Sequence, residues 1–309
     1  MGVDAGATRI RVAIADLSGR VVGRGEGGAG NALSVSVPEL ASHLRDAIVG
    51  AAPSGDLRAR IGRVVAGFAG AVSLAVDPDD VGRERAHAAL AQACGGTTAT
   101  LEVRSDVEVA FASGAGTTRN GLVLVCGSGA AGGRLVDGNL MWTADGHGRL
   151  IDDAGSGFWI GRSAMRAALR ALDGRGPWTT LVAGVCRQLG IERATEAEGP
   201  ERVALRRALI RGVASRDEFY LSTLCPLVTR AAAGGDAVAN QILDDAVAEL
   251  RTTLTALSPR RGEPLVTTGG LLGPEGPLLG RFTAAVSELG LTLRPVEDGV
   301  AGAIVLALA

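Results

Sequence analysis

Residues 2–16 read GVDAGATRIRVAIAD and form the stretch that decides the fold class. After a short apolar start, the segment passes through small residues at positions 5–7 and continues with Ile10, Val12 and Ile14 at alternate positions. Apolar residues at every second position are typical of a half-buried strand, and small residues between two strands are typical of a turn. The segment therefore predicts an antiparallel β-hairpin.

The chain continues as an alternating α/β unit. Residues 17–20 form a polar turn before a third short strand, and Pro38 then marks the first turn of a helix. The next elements are a buried strand, a helix and a short strand, at Val64–Ala69, Asp79–Cys94 and Leu101–Arg104. This order predicts an α/β unit that opens with antiparallel strands.

The opening pattern recurs about 120 positions later. Residues 121–138 read GLVLVCGSGAAGGRLVDG, which is again a strand, a turn of small residues, a second strand and a polar turn. An internal duplication is the most economical explanation. We therefore expect an α/β fold of two duplicated lobes, residues 1–118 and 119–309, whose glycine turns face a central cleft. The final helix, at about 298–309, is expected to pack back on the first lobe.

The composition excludes several kinds of mechanism. The chain has 309 residues with 31 basic and 33 acidic side chains, and a formal net charge of −2. All the basic residues are arginine, which rules out a Schiff-base lysine, a P-loop GK[ST] motif and the strand lysine of protein kinases. A charge this close to neutral argues against nucleic acid or an anionic membrane as a partner, because a basic excess supplies the energy of such binding.

Cysteine and histidine usage predicts a reduced, cytoplasmic protein without a dedicated zinc site. The four cysteines are single and far apart, unlike a disulfide framework, and the three histidines form no HExxH motif. A secretory leader is not expected, because charged residues interrupt the first dozen positions. No apolar run reaches the ~18 residues that a membrane span needs.

The first turn has a composition suited to phosphate. Small residues around Gly6 let backbone N–H groups approach phosphate oxygens, Thr8 adds a hydroxyl and Arg9 adds a cation. Asp4, on the preceding strand, could hold waters around a magnesium ion, which usually keeps several waters and one or two carboxylates. A plain hairpin turn with a surface aspartate explains these residues equally well.

The second turn, at residues 127–129, is a further candidate phosphate site. A single glycine-rich turn is more often structural than functional. Two such turns in duplicated units, however, can grip a nucleotide tail from both sides.

Two further segments carry side chains suited to chemistry. Asp106 follows a strand and opens a helix, so it is either the helix N-cap or a general base that takes a proton from a sugar hydroxyl. Residues 146–161 read GHGRLIDDAGSGFWIG. Helix capping explains Ser156, but the mixture of acidic residues, glycines and an aromatic pair indicates a loop pressed against a polar ligand.

These motifs resemble those of the N-acetylglucosamine kinase-like, BadF/BadG/BcrA/BcrD ATPase family, of the actin–hexokinase–heat-shock fold. The family's GxDGGGTKT opening is similar to Gly2–Arg9, its GGxxN to Gly27–Asn31 and its GTGS turn to Gly127–Ala130. The most specific likeness is between the family signature GxLLGDEGSGxWIG and Gly148–Gly161. The resemblance covers nearly the whole chain. It implies two duplicated ribonuclease H-like lobes in an actin-like ATPase fold, with a central nucleotide and sugar cleft.

The resemblance also implies the roles of individual residues, with ATP and Mg²⁺ as cofactors. Asp106 is the catalytic base and a sugar contact, and Asp4 holds the magnesium ion through water. The nucleotide is bound by Gly6, Thr8, Arg9, Gly127, Ser128, Gly129, Gly269 and Gly270, and the sugar by Asn31, Gly146, His147, Asp153 and Ser156. A homodimer is expected on the same basis.

Some departures from the family pattern bear on the predicted function. Arg9 replaces a lysine and keeps its charge, and His147 replaces a common tryptophan. Ala130 and Ala154 replace a serine and a glutamate. These changes weaken the expectation for N-acetylglucosamine more than the expectation for a kinase.

The leading prediction is an ATP-dependent sugar kinase that phosphorylates a hexose, at the 6-hydroxyl of an amino sugar such as N-acetylglucosamine or glucosamine. One alternative is an ATPase activator of a dehydratase or reductase with an iron–sulfur cluster between subunits, but Cys126 has no convincing second cysteine for a cluster. The other alternative is a non-catalytic sugar sensor, suggested by Ala130 and Ala154. A DNA-binding repressor is not expected, because no helix-turn-helix precedes Gly2.

Overall fold

The computed structural model describes residues 1–72, 76–95, 98–191, 198–217 and 219–309. The first half contains strands β1 (Gly2–Ala5), β2 (Ile10–Ala15), β3 (Val21–Gly27), β4 (Arg63–Phe68) and β5 (Thr100–Ser105), and helices α1 (Val37–Ala51), α2 (Gly55–Ala59), α3 (Val81–Cys94) and α4 (Asp106–Gly114).

The second half has the same kinds of elements and more helix. Its strands are β6 (Gly121–Cys126), β7 (Ala130–Val136), β8 (Asn139–Asp145), β9 (Pro264–Thr268) and β10 (Thr292–Pro295). Its helices are α5 (Gly157–Leu172), α6 (Leu181–Gln188), α7 (Pro200–Ala214), α8 (Cys225–Ala233), α9 (Ala237–Ala256), α10 (Leu279–Val286) and α11 (Val300–Leu308). Short 3-10 helices lie at Tyr220–Leu224 and Ser287–Leu289.

Each half forms a five-stranded mixed sheet, and the two sheets share one strand order. The first is β3-β2-β1-β4-β5, and the second, from the equivalent edge, is β8-β7-β6-β9-β10. In each sheet the first three strands are antiparallel and the last two join in parallel. The predicted fold class, two duplicated α/β lobes, is confirmed.

The opening hairpin buries the side chains that the alternation predicted. Ile10, Val12 and Ile14 of β2 are buried in one cluster with Leu40 and Leu44 of α1. The opposite face of β2 is therefore left for the joint with the other half of the chain.

Alternate glycines in β3 let α1 lie directly on the strand. A Cβ added at Gly25 would lie 2.0 Å from the Ala47 carbonyl oxygen, and one at Gly27 would lie 2.2 Å from the His43 carbonyl oxygen. No side chain fits at such distances, so the glycines set the approach of helix and strand. The chain leaving β3 is also held near the first turn, because the Gly30 N–H donates to the Gly6 carbonyl (2.9 Å).

Helices α4 and α11 cross between the halves. α4 follows a strand of the first sheet, yet its Phe111 packs with Val123 and Val266 of the second sheet. α11 follows a strand of the second sheet, yet its Ile304 packs with Ala13 of the first sheet. The two helices also contact each other. This exchange brings the first residues of both helices to the joint between the sheets.

The apolar face of the long helix α9 is part of the hydrophobic core of the second half. Leu243, Val247, Leu250 and Leu254 of α9 are buried in the main cluster of that half. Within the described part of the chain, no helix combines the length and the apolar character needed to cross a membrane. The four cysteines are free thiols.

Candidate active site

A cavity of about 880 Å³ lies between the two halves, where the turns after β1, β6 and β9 meet the start of α4. Most of the site residues predicted from the sequence line it. They are Asp4, Gly6, Thr8, Arg9, Asn31, Asp106, Gly127, Ser128, Gly129, Gly146, Asp153, Gly269 and Gly270. Residues from positions 4 to 270 are thus brought around one space.

Two predicted sugar contacts lie outside the lining. The His147 side chain is 61% exposed, and its Nδ1 is 3.7 Å from Asp145 Oδ1. Ser156 is fully buried as the N-cap of α5, where its Oγ accepts the Trp159 N–H (3.2 Å). Ser156 thus caps the helix from a buried position outside the lining, and its predicted contact with a sugar stays a prediction.

Turn 1 (residues 6–9) joins β1 to β2. The Gly6 N–H donates to the Arg9 carbonyl (3.0 Å), which closes the turn. The Arg9 side chain is 54% exposed, and its Nη1 lies 3.5 Å from Glu26 Oε1. An exposed pair of this kind is weak, so the guanidinium can exchange its partner for a ligand.

The segment after β3 places Asn31 beside turn 1. Asn31 Oδ1 accepts the N–H groups of Leu33 (2.9 Å) and Ser34 (3.2 Å). Among the described residues, its Nδ2 has no hydrogen-bond partner. The side chain is therefore oriented by its oxygen and offers amide donors to the cavity.

Turn 2 (residues 127–129) is fixed by the N-terminus of α5. The Gly157 N–H donates to the Gly127 carbonyl (2.8 Å) and the Phe158 N–H to the Ser128 carbonyl (3.1 Å). A Cβ at Gly129 would lie 2.8 Å from Asp153 Oδ2, so a side chain at this position would displace that carboxylate. The turn and the loop before α5 form one packed unit.

Turn 3 (residues 269–273) lies beside turn 2. Gly269 has φ +92°, and a Cβ there would be 2.3 Å from the Cys126 carbonyl oxygen. The same carbonyl accepts the Leu271 N–H (3.0 Å). The left-handed backbone and the close approach both require glycine. Turns 2 and 3 therefore present backbone from the second sheet towards turn 1 of the first sheet.

Asp106 is not the N-cap of α4. That position belongs to Ser105, whose Oγ accepts the Val107 N–H (3.3 Å), while the Glu108 carboxylate accepts the Ser105 N–H (3.0 Å). Asp106 occupies the first helical position, and its Oδ1 accepts the Val107 N–H (2.9 Å). Burial raises the pKa of Asp106 to about 6. The carboxylate is thus ionised at neutral pH and is basic enough to take a proton.

Asp4 sits at the joint between the halves. Its Oδ2 accepts the Gly299 N–H (2.9 Å) just before α11. Burial raises the pKa of Asp4 to about 7, against the lowering effect of this hydrogen bond. The carboxylates of Asp106 and Asp298 add to the rise, and Arg11 opposes it. A cation bound here would compensate this concentration of negative charge.

Arg11 and Asp298 also line the cavity, although neither was predicted from the sequence as a site residue. Arg11 lies directly opposite Asp4 in the β1–β2 register, and its Nε is 3.7 Å from Asp298 Oδ2. The alternation of β2 places Arg11 on the face opposite to Ile10. The duplicated strand order likewise places Asp298 before α11 much as Asp106 opens α4.

The loop of residues 145–154 is held by the Asp145 carboxylate, which accepts the N–H groups of Gly146 (2.8 Å), Asp153 (3.2 Å) and Ala154 (2.8 Å). Asp145 and Asp153 have φ +60° and +59°. A non-glycine residue in this region costs roughly 1–3 kcal/mol, and such strain clusters at functional sites. These hydrogen bonds offset that cost.

Asp153 points from this loop to the cavity and turn 2. Its Oδ1 accepts the Gly148 N–H (3.0 Å). Burial raises the pKa of Asp153, and the neighbouring Asp145 carboxylate raises it further. The loop thus presents a fixed carboxylate as a hydrogen-bond acceptor for a ligand.

Part of the cavity wall is less polar, and it was not singled out as a site from the sequence. Its residues include Cys225 and Pro226, with Ser222 nearby in sequence, and Leu271 and Pro274 in and after turn 3. A flat apolar ring fits such a wall.

The buried thiols nearest this site are poor metal ligands. Burial raises the pKa of Cys225 to about 12 and raises that of Cys126 as well. Cluster ligation requires thiolates, which this surrounding disfavours.

The fold and the site together define a class of protein. Two mixed sheets of one strand order flank a cleft that is lined by glycine turns from both halves, by buried carboxylates and by several apolar side chains. This is the arrangement of the two-lobed, actin-like ATPases.

The chain belongs to the BadF/BadG/BcrA/BcrD ATPase family, whose model matches residues 1–307. The family predicted from the motifs is thereby confirmed. The chain is 28% identical over 199 residues to the N-acetyl-D-glucosamine kinase of Dictyostelium discoideum, over 62% of this chain and 60% of that protein. It is 30% identical over 173 residues to the N-acetylmuramic acid/N-acetylglucosamine kinase of Clostridium acetobutylicum, over 54% of this chain and 53% of that protein. The matches span little more than half the length of these curated relatives.

Solved structures share the whole fold. A protein from Chromobacterium violaceum with a provisional assignment as an N-acetylglucosamine kinase superposes with a TM-score of 0.75 at 24% identity, over 100% of this chain and 98% of that chain. A ROK family glucokinase from Streptomyces griseus, in complex with glucose and AMPPNP, superposes with a TM-score of 0.57 at 16% identity, over 99% of this chain and 98% of that chain. At these identities the likeness establishes the fold.

Proposed function

We propose that this chain is an ATP-dependent kinase that transfers the terminal phosphoryl group of ATP to the 6-hydroxyl of an amino sugar, N-acetylglucosamine or glucosamine. The position of Asp106 carries the proposal. Its carboxylate lines the cavity together with the three glycine turns and with Asp153 of the 145–154 loop. The names of both curated relatives, kinases of N-acetylglucosamine, support an amino-sugar substrate.

The nucleotide lies across the turns in this proposal. Short glycine-rich turns bind phosphate through backbone N–H groups and leave room for a close approach. The phosphates contact Gly6, Thr8 and Arg9 of turn 1 and Gly127, Ser128 and Gly129 of turn 2. The nucleoside lies on Gly269 and Gly270, and its base lies against the wall that contains Cys225 and Pro226.

The residues present fit a magnesium ion. Asp4 Oδ2 is used by the Gly299 N–H, and among the described residues Asp4 Oδ1 has no hydrogen-bond partner. It can therefore accept a hydrogen bond from a water molecule that coordinates the ion. Oxygen ligands, including carboxylates, are those that this hard cation prefers. When bound, the ion neutralises charge on the β- and γ-phosphates.

The sugar occupies the part of the cavity that Asn31 and Asp153 line. The Asn31 amide donates to one hydroxyl, and the Asp153 carboxylate accepts from another. The backbone of Gly146 lines the same space. These groups orient the 6-hydroxyl towards Asp106.

Asp106 acts as the general base. It takes the proton of the 6-hydroxyl while that oxygen forms its bond to the γ-phosphorus. The bond from the γ-phosphorus to the bridging oxygen breaks, and the products are the sugar phosphate and ADP. A carboxyl group with a pKa of about 6 is ionised at pH 7 and ready for this step.

The same proposal includes a division into lobes near residue 118, a homodimer and a cytoplasmic location. The sheets on either side of residue 118 support the division. The four free thiols are those expected in a reducing compartment. The dimer rests on the family resemblance.

The test is ADP release measured with glucosamine, N-acetylglucosamine, glucose, N-acetylmannosamine and muramic-type sugars. We expect sugar-dependent ADP formation by the native protein. Asp106→Asn should keep nucleotide binding and lose about 10²-fold or more in turnover, a typical contribution of a general base. Near-native turnover by this variant would remove Asp106 from its role.

The same screen separates the alternatives. Sugar binding measured by calorimetry without any ADP formation would indicate a sensor. Sugar-independent ADP formation, together with iron-dependent absorbance of anaerobically purified protein, would indicate an activator ATPase.

A further inference from the structure

Glu108 is a buried carboxylate two residues after the proposed base. Its side chain is only 2% exposed. Burial of a charged carboxylate is expensive unless hydrogen bonds and opposite charge compensate for it. The proposed chemistry gives Glu108 no contact with ATP or sugar, and it does not line the cavity. A buried carboxylate at this point therefore requires another explanation.

The two oxygens of Glu108 bind backbone from both halves of the chain. Oε2 accepts the Ser105 N–H (3.0 Å), which completes the cap of α4. Oε1 accepts the Leu140 N–H (3.0 Å) of strand β8 in the second sheet. A capping box needs only the first bond, so the second is an additional link between the halves.

That link leads to the loop proposed for the sugar. Strand β8 runs from Asn139 to Asp145, and the Asp145 carboxylate then holds the N–H groups of Gly146, Asp153 and Ala154. Hydrogen bonds and backbone therefore connect the start of α4, through Glu108, to the 145–154 loop. This path links the segment that carries the proposed base, Asp106, to the loop that carries Asp153.

Charged neighbours compensate the buried carboxylate only in part. Arg104 Nη1 is 3.8 Å from Glu108 Oε1, while its Nε donates to Glu102 (2.7 Å). Arg63 also donates to Glu102 (2.9 Å). Arg104 is therefore shared with a second carboxylate, and the two backbone N–H groups remain the direct partners of Glu108.

We infer that Glu108 is a positioning residue, which fixes the Asp106 carboxylate relative to the 145–154 loop by binding the Ser105 and Leu140 N–H groups together. This inference rests on the proposed function, because Asp106 and the loop acquire their roles there. Glu108 itself touches no substrate and acts through Asp106. A misplacement of about 1 Å at a reacting group can cost about 10²-fold in rate. A small shift of Asp106 after loss of the two Glu108 hydrogen bonds is therefore measurable.

The experiment compares Glu108→Gln and Glu108→Ala with Glu263→Gln. Glutamine keeps one acceptor oxygen for the two N–H groups, and alanine keeps none. Glu263 is a matched control, because its Oε1 accepts a hydrogen bond from Arg134 Nη1 (3.0 Å) in a partly buried ion pair. Glu263 also does not line the cavity. All variants are assayed below their unfolding temperatures. The measured quantities are kcat, KM for both substrates and the Kd for ADP from calorimetry.

We expect kcat to fall roughly 10-fold in Glu108→Gln and towards 10²-fold in Glu108→Ala. The Kd for ADP should stay within about twofold, because the turns that bind it are untouched. Glu263→Gln should lose stability without a change in kcat. In native protein, the Ser105 and Leu140 amides should both exchange slowly with solvent, and both should exchange faster in Glu108→Gln.

A double-mutant cycle tests whether Glu108 acts through Asp106. In an Asp106→Asn background, Glu108→Gln should reduce the residual turnover by less than about twofold. A full additional 10-fold loss, or an unchanged kcat in the single Glu108 variants, would overturn the inference while leaving the proposed function standing. If the native protein forms no ADP with any sugar, the proposed function fails and the inference fails with it.

Discussion

The buried carboxyl groups of Asp4 and Asp106 are poised by opposing effects. Burial disfavours their charged forms and raises their pKa values to about 7 and about 6. Backbone N–H groups of Gly299 and Val107 favour the charged forms and limit the rise. The result is two groups that change charge within the range in which an enzyme works.

Asp106 should control the acidic side of the pH profile. A general base must be unprotonated, so kcat at saturating magnesium and ATP should fall about tenfold per pH unit below about pH 6, the pKa of this group. Saturation matters because a bound cation holds the Asp4 carboxylate in its ionised form. The measurement is sugar-dependent ADP release between pH 4.5 and pH 8. A profile that stays level down to pH 4.5 would contradict the role of Asp106.

Asp4 should make the ligand-free protein less stable as the pH rises. Its pKa in the native state is about 7, above the ordinary aspartate value of 3.8, so the native state binds an extra proton between these two pH values. The contribution of Asp4 to the free energy of unfolding is fully present below its unfolded-state pKa and declines as the pH rises towards about 7. At pH 8, Asp4→Asn should therefore be more stable than the native protein, by on the order of 1–2 kcal/mol.

Thermal unfolding at pH 4 and pH 8 checks this expectation. The gain at pH 8 should appear as a rise of roughly 2–8 °C in Tm, and it should shrink at pH 4. Magnesium-dependent ATP turnover should be lost in the same variant. Asp46→Asn, at an exposed position of α1, is the matched control and should change neither property. A lower Tm for Asp4→Asn at pH 8 would contradict the analysis.

At the scale of elements, the crossing of α4 and α11 depends on the absence of side chains. A Cβ at Gly302 would lie 2.1 Å from the Val109 carbonyl oxygen and 2.4 Å from the Ser113 nitrogen. The Gly302 N–H also donates to Ser113 Oγ (2.7 Å). The helices therefore meet backbone to backbone, which fixes the start of each helix at the cavity.

Gly302→Ala should separate these helices. The added methyl group overlaps backbone atoms that cannot rotate away, so we expect a loss of about 1–3 kcal/mol in unfolding free energy. Turnover should fall as well, because the starts of both helices shift. Denaturant unfolding and ADP release measure the two effects.

Gly280→Ala is the control for helix propensity. Gly280 lies in α10, and a Cβ there meets no atom within 4 Å. This variant should gain up to roughly 1 kcal/mol from propensity alone. An equal gain in Gly302→Ala would show that the crossing tolerates a side chain.

Two elements that were not predicted from the sequence, helix α7 and strand β10, have weak local patterns. α7 has arginines at several positions and only Leu205 and Leu209 buried, so its apolar stripe is short. β10 has four residues and relies on pairing with β9. By contrast, β2 carries a clear period-2 stripe and was predicted from the sequence. Elements that depend on their neighbours leave little periodic signal.

At the scale of the whole molecule, the site is split between two sheets that share the joint of α4 and α11. Turn 1 and Asn31 come from the first half, and turns 2 and 3 come from the second. A ligand that contacts both sides favours the closed arrangement, and closure then improves binding of the other ligand.

We therefore expect N-acetylglucosamine to tighten the binding of a non-hydrolysable ATP analogue by roughly 5- to 150-fold, the usual size of such coupling. Calorimetry with and without the sugar measures this ratio. The reciprocal experiment, sugar binding with and without the analogue, must give the same factor. If each ligand had the same dissociation constant with and without the other ligand, the halves would not close on their ligands.

The sequence by itself determined the local chemistry. Alternating apolar residues placed β1 and β2, the repeated turn composition predicted the duplication, and the glycines of turns 1 and 2 indicated phosphate sites. These properties depend on neighbours a few residues away, and spacing along the chain records them. The sequence left Asp106 open between helix cap and base.

Only the tertiary structure decided which distant groups meet. Ser105 and Glu108 cap α4, and this leaves Asp106 in the cavity. The exchange of α4 and α11 brings Gly299 to Asp4 and places Asp298 beside Arg11, contacts between residues nearly 300 positions apart. Such contacts arise from the packing of two sheets through crossed helices. Local sequence patterns do not encode that packing, because its energy depends on surfaces that exist only after both halves have folded.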